Sequence, residues 1–203
     1  MKVILASASP RRANLLSQIG IHFEIDPSSI NETFSEDLPP FQVVQELARQ
    51  KAEDVAKRHP EKFLIAADTI VCLDDEILGK PTDGTQAAKF LQRLSGRNHD
   101  VFSGVYAGLT NASGEFSSVI SFFERTKVTF ASLTELEIKQ YINYEKPFDK
   151  AGSYGIQDDL GSLFVKKIDG DYYNVVGFPL HRFYDTLKKE MPDIYNQLFF
   201  QTS

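Results

Sequence analysis

Arg11 and Arg12 follow Ser7-Ala8-Ser9-Pro10 where a helix should begin. The first turn of a helix carries a partial positive charge, so cations there are ordinarily unfavourable and anions favourable. Ser9 suits the cap position and Pro10 the first helical position. Free backbone N–H groups, the hydroxyls of Ser7 and Ser9 and two guanidinium groups then converge on one point, a pattern made for an anion. Two further cations, Lys51 and Lys80, would let the chain answer the several charges of a polyphosphate. Each hydrogen bond to a charged group contributes about 1.5–3 kcal/mol. Asp68 and Glu32 are the matching carboxylates, suited to holding a divalent metal or orienting a water, since hard cations take carboxylate oxygens. Gln157 closes the run Asp149-Lys150-Ala151-Gly152-Ser153-Tyr154-Gly155-Ile156-Gln157. Its amide offers a donor beside an acceptor, the complement of N3–H and O4 on a uracil or thymine ring.

Each of these residues has an ordinary reading when taken singly. Lys51 falls four residues from both Leu47 and Val55 on an apolar helix stripe, and suits a stem that lies on the core and reaches out to water. Asp68 suits a turn cap with Thr69, Glu32 a solvated loop position, Lys80 an extended residue held by Pro81, and Gln157 a polar turn.

The positioning elements read as alternating strands and helices with a strand-rich centre. Met1 to Ala6 is a short apolar strand, and a helix over Pro10 to Ile19 stops at Gly20. A strand near His22 to Ile25 leads through a polar loop to a second helix from Phe41 to Arg58. Phe63 to Ala67 is a buried strand that delivers Asp68 off its carboxyl end, where ligands of α/β sheets gather. Ile70 to Leu73 continues extended, and Asp74-Asp75-Glu76 turns the chain back. A helix follows from Asp83 to Leu94. Long strands over Asn98 to Phe130 are broken at Asn111-Ala112-Ser113-Gly114, which predicts a hairpin. Thr134 and Glu137 form a capping box for a helix with Leu136, Ile138, Tyr141 and Ile142. Gly161 to Ile168 and Tyr172 to Val176 read as strands, a last helix starts near Pro179, and the tail after Pro192 reads as a weak helix or loose end.

With 42% hydrophobic and 25% charged residues in 203, the chain has the make-up to bury a substantial core, which excludes disordered and fibrous classes. Its formal net charge of -6 argues against a nucleic-acid polymer as partner, because such binders show a broad basic face. Cys72 is the one cysteine, so no internal disulfide can form and a reducing compartment is expected. No membrane-length apolar run and no signal-peptide core are found, so a cytoplasmic location is expected.

Six motifs, in order, resemble the Maf family of nucleotide pyrophosphatases: Ser7-Ala8-Ser9-Pro10-Arg11-Arg12, Ala66-Ala67-Asp68-Thr69-Ile70-Val71, Gly79-Lys80-Pro81, Leu94-Ser95-Gly96-Arg97, Asp149 to Gln157, and Asn174-Val175-Val176-Gly177-Phe178-Pro179. The resemblance covers residues 1–190 as one domain, with 191–203 as a tail. It implies an α/β fold shared with inosine-triphosphate pyrophosphatases: a mixed sheet flanked by helices, in two lobes around a central cleft. It also implies hydrolysis of a nucleoside triphosphate to monophosphate and pyrophosphate with a divalent metal, magnesium or manganese, in a cytoplasmic homodimer. By motif, Asp68 matches the catalytic proton acceptor, and Glu32, Lys51 and Lys80 match the other charged pocket residues. Ser7 and Arg12 belong to the phosphate-gripping motif. Arg11, Thr69 and Gln157 match the positions linked to base choice, in the combination similar to the dTTP/UTP branch. A 7-methyl-GTP or other modified-nucleotide hydrolase and a non-catalytic nucleotide-binding regulator are the alternatives. Two departures stand out. Asp158-Asp159-Leu160-Gly161 follows Gln157 where a glycine usually comes soon after, bringing two extra negative charges. Asn31-Glu32 replaces the commoner acidic pair.

Overall fold

The computed structural model describes residues 1–35 and 37–200. Two compact units share the chain: Met1–Asp68, Ser103–Glu124 and the stretch from Gly177 onward form the first, Thr69–Phe102 and Arg125–Val176 the second.

The first unit opens with β1 (Val3–Leu5), buried throughout, and α1 (Pro10–Gln18), followed by β2 (Glu24–Ile25), shorter than its sequence pattern suggests. The next helix, α2, runs Pro40–Ala56 and buries Val43, Val44, Leu47, Ala48, Ala52 and Val55, the expected stripe. Beyond it lies β3 (Phe63–Leu73). β1 pairs in parallel with both β2 and β3. Ile4, Ala6, Ala52, Val55, Ala56, Leu64 and Ala66 form one core cluster, so α2 seals this part of the sheet.

β3 differs from its sequence reading in a way that matters for chemistry. It does not stop at Ala67 but continues through Asp68 and Thr69 to Leu73, so Asp68 stands within a strand. The polar pair interrupts the apolar run without breaking the backbone ladder. Two-residue alternation then sends Asp68 and Thr69 to opposite faces.

Within the second unit, β3 turns at Asp74 and Asp75 into β4 (Glu76–Leu78), its antiparallel partner. Both turn residues have positive φ, 51° and 66°, the conformation a two-residue hairpin turn requires and aspartate tolerates. Asp83 caps α3 (Gly84–Leu94) by accepting from the Gln86 N–H. The long hairpin is β5 (Asn98–Thr110) and β6 (Phe116–Phe130), both of which contribute residues to each unit. Thr134 and Glu137 make the expected capping box on α4 (Glu135–Glu145). Residues 161–164 are a helical turn, α5 (Gly161–Phe164), ahead of β7 (Val165–Asp169), which pairs antiparallel with β6. The seven strands form one mixed sheet in the order β2-β1-β3-β5-β6-β7, with β4 on β3.

Tyr172–Val176 is helical (α6), not a strand. Its aromatic and β-branched content favours a strand, but Asp171 accepts from the Tyr173 N–H at 2.8 Å and starts a helical turn. Asn174 then reaches Val101 O and Thr126 Oγ1, both at 3.0 Å, inside the core. Those hydrogen bonds outweigh propensity, which is a weak prior. The chain closes in the first unit with α7 (Leu180–Glu190) and α8 (Pro192–Phe199), the latter burying Ile194 and Tyr195. The last three residues of the tail, 201–203, lie outside the described residues.

The core of the second unit contains a titratable group. His99 is 3% exposed and its Nε2 shares a 2.8 Å hydrogen bond with the Tyr154 hydroxyl, while its Nδ1 is buried without a partner among the described residues. Burial lowers the His99 pKa from 6.5 to about 4. The unfolded chain therefore takes up this proton first as pH falls. The His99 contribution to stability is complete above pH 6.5, declines between 6.5 and about 4, and changes no further below that. Its size is roughly 3 kcal/mol. Urea unfolding of wild type and His99→Phe across this range should show a shallower acid decline in the variant; parallel curves would refute the assignment.

Candidate active site

The polar loop after β2 is laced to one face of α2. Asp54 accepts from Ser28 Oγ at 2.9 Å and from the Ser29 N–H at 3.3 Å, and Gln50 donates to Thr33 O at 2.8 Å. Arg58 pairs with Asp26 at 3.0 Å, holding that carboxyl below its usual range. Positions 50 and 54 lie one turn apart on α2 and Arg58 follows just beyond its end, so this edge of the helix dictates the path of the loop. Glu32 is carried to Lys51 by this path.

Lys51 Nζ donates to Asp68 Oδ1 at 2.5 Å and pairs with Glu32 Oε1 at 2.9 Å. The Lys51 side chain is 13% exposed and Asp68 11%, against 45% for Glu32. Lys51 therefore does not reach out to water: its ammonium is the shared partner of two carboxylates, one buried in the sheet and one opening to solvent. Asp68, being inside β3, does not cap a turn.

The arginine pair divides in two. Arg12 is buried, its Nε donating to Gly177 O at 2.9 Å and its Nη1 to Ser7 Oγ at 3.1 Å. Burial pulls the Arg12 guanidinium below its ordinary value; Asp68 acts in the opposite direction, Arg11 adds to the drop, and Glu32 opposes it. Buried Ser7 also accepts from the Ser9 N–H at 3.3 Å, and the Ser9 side chain makes no cap hydrogen bond to α1. Arg11 is only half-buried. Ser7, Arg11, Arg12, Glu32, Lys51 and Asp68 all belong to the first unit.

Thr69, Lys80 and Gln157 belong to the second unit. Thr69 is half-buried, while Lys80 and Gln157 are exposed. Gly152 N–H donates to Gly79 O at 3.1 Å, tying the segment before Lys80 to the motif that ends in Gln157. The extra charge at Asp158 has partners: it accepts from the Tyr141 hydroxyl at 2.6 Å and pairs with Lys150 at 3.4 Å. In the sequence Tyr141 stands beside Ile138 and Ile142 on the α4 helix, a pattern that gives no sign of this role. The available signal was its hydroxyl, since a buried tyrosine oxygen normally finds a partner.

The carboxylates of Asp68 and Glu32, both paired with Lys51, are donors of the type a hard divalent cation takes. Magnesium commonly binds through one or two carboxylates plus phosphate oxygens and water. Among the described residues no group of three or more His, Cys, Asp or Glu gathers to enclose a metal.

A lysine shared by a buried aspartate and a glutamate, in a unit that also carries an arginine-bearing helix start, is accompanied by similarity to known proteins. The family model described as "Maf-like protein" matches residues 2–190, and the chain belongs to that family. It is 50% identical over 186 residues to a dTTP/UTP pyrophosphatase of Halalkalibacterium halodurans, covering 92% of this chain and 94% of that one. A dTTP/UTP pyrophosphatase of Bacillus cytotoxicus is 47% identical over 188 residues, covering 93% and 95%. Among solved structures, a HAM1 protein from Coxiella burnetii matches with a TM-score of 0.46 at 16% identity, covering 66% of this chain and 74% of that one.

Proposed function

We propose that this chain is a nucleoside triphosphate pyrophosphatase that hydrolyses dTTP and UTP to the monophosphate and pyrophosphate. The observation that carries the reading is the Lys51 ammonium held between Asp68 and Glu32, in a chain half identical to a relative named dTTP/UTP pyrophosphatase. Lys51 occupies Oδ1 of Asp68 and holds the carboxylate in one orientation. Oδ2 takes the proton from a water whose oxygen bonds to the α-phosphorus. The bond from that phosphorus to the α–β bridging oxygen breaks, and pyrophosphate leaves with the electron pair. Arg11, Arg12, Lys51 and Lys80 offset the charge that builds on the leaving group, with Ser7 holding Arg12 in place. Asp68 and Glu32 would hold a magnesium or manganese ion, which when bound neutralises phosphate charge. Arg11, Thr69 and Gln157 select the base.

The same reading includes a homodimer working in the cytoplasm, supported by the family resemblance and by a lone buried cysteine, Cys72. Among the described residues no helix is long and apolar enough to cross a membrane.

A panel of dTTP, UTP, CTP, ATP, GTP and 7-methyl-GTP with magnesium or manganese, scored for released pyrophosphate, tests the proposal. Preferred turnover of dTTP and UTP is expected. Preference for 7-methyl-GTP overturns the base choice, and tight binding without turnover of any nucleotide overturns the enzyme.

A further inference from the structure

Gln157 stands in a turn that is fastened from beneath. Asp158 N–H donates to Gly155 O at 3.1 Å, so Ile156 and Gln157 are the central residues; Ile156 is buried and Gln157 faces out. The Tyr141 hydroxyl bridges the two ends of this turn: it accepts from the Gly155 N–H at 3.0 Å and donates to Asp158 Oδ2 at 2.6 Å. Tyr141 itself is fully buried and stacks edge-on against Phe164, so the bridge is anchored in the core. Lys150 sits 3.4 Å from the same carboxylate oxygen. Both side chains are largely withdrawn from water, Lys150 at 11% exposure and Asp158 at 14%.

Packing leaves this turn little freedom. A Cβ on Gly155 would lie 2.6 Å from Asp158 Oδ2, and a Cβ on Gly161 would lie 2.2 Å from Gly155 O. The carboxylate occupies the space that a side chain at 155 would need. A charge pair withdrawn from water gives little net stability over an apolar substitute. Its distinctive product is a fixed orientation for the residue beside it.

We propose that Asp158 is a positioning residue for base recognition: clasped by Tyr141 and Lys150, it fixes the turn that presents the Gln157 amide. The inference rests on the proposed role of Gln157 in reading the base. A side-chain amide that pairs with both N3–H and O4 must be held in one plane, and an exposed glutamine on a loose turn loses that advantage to rotamer entropy. Asp158 touches no part of the nucleotide in this scheme.

The test uses the full chain as wild type, Tyr141→Phe and Asp158→Asn. It measures kcat and KM for UTP, dTTP, CTP and GTP, with hydrogen exchange of the Gly155 and Asp158 amides. Tyr141→Phe removes one hydroxyl and keeps the ring. It should raise KM for UTP and dTTP so that their kcat/KM preference over CTP and GTP falls roughly tenfold, the value of one hydrogen bond to a charged group. Exchange at both amides should quicken. Asp158→Asn keeps an oxygen for Tyr141 and loses the charge facing Lys150, so it should give a smaller shift in the same direction. A uniform fall in kcat for all four triphosphates with the preference intact is the mark of a merely structural role and overturns the proposal. So does faster exchange with unchanged preference. Failure of the underlying functional reading shows in wild type alone, as no preference for UTP and dTTP; failure of the clasp shows only against the variants.

Discussion

Asp68→Asn should lower pyrophosphate release from UTP by roughly 10³-fold, within the range that a positioned general base contributes. The substitution keeps the size of the side chain and an oxygen for Lys51 Nζ, so the 2.5 Å contact has a replacement and Glu32 still faces the same ammonium at 2.9 Å. Thermal unfolding should therefore shift little, while kcat collapses. KM should move less than kcat, because the lost proton transfer belongs to the transition state and not to ground-state binding. The measurement is steady-state pyrophosphate release beside a melting curve on the same preparation. Turnover near the wild-type rate would remove Asp68 from the chemistry, and a molten variant would show that the carboxylate is structural.

Lys51→Met is expected to damage both folding and activity. The change leaves Asp68, 11% exposed inside β3, without its cation and still near the Glu32 carboxylate. Removing one partner of a buried pair costs on the order of 3–5 kcal/mol, because the other charge stays uncompensated. The present pair is not fully sealed, so the lower end of that range is expected. The double variant Lys51→Met with Asp68→Leu removes both charges and should recover most of the lost stability without recovering activity. A urea double-mutant cycle reads the coupling directly. Additive losses would mean that the two side chains do not depend on one another in the fold.

These two predictions draw on different depths of legibility. That Lys51 points inward follows from its spacing to Leu47 and Val55 alone, but its partners lie elsewhere in the sequence and no local pattern announces them. Glu32 looked like a solvated loop residue because the lacing by Asp54, Gln50 and Arg58 is tertiary. The capping box of α4 and the aspartate turn between β3 and β4 were readable because their physics is contained within a few residues. A polar pair in an apolar run resembles a strand terminus, which is why the sequence places Asp68 at a strand end; in the structure β3 runs on to Leu73 and Lys51 pairs with the Asp68 carboxylate. Tyr172–Val176 was misread for a related reason, since the bonds of Asn174 to Val101 and Thr126 cross much of the sequence. Asp158, which looked like excess charge beside a base pocket, is satisfied by Tyr141 and Lys150. Chemistry-bearing residue types were visible throughout, whereas the pairings that decide their charge and direction were not.

The bond from Arg12 to the Gly177 carbonyl spans 165 residues. Synthesis runs from amino to carboxyl end, so Arg12 emerges from the ribosome 165 residues ahead of this acceptor. Until Gly177 is made, the Arg12 guanidinium cannot be buried without losing that partner, so the segment around Arg12 should remain open or only loosely packed during synthesis. Contacts so distant along the chain slow folding, since a long loop must close before they reward it. A nascent chain halted before Gly177 should therefore be readily cleaved by protease around Arg12, and the first unit, which needs the segment from Gly177 onward, should be the last to become resistant.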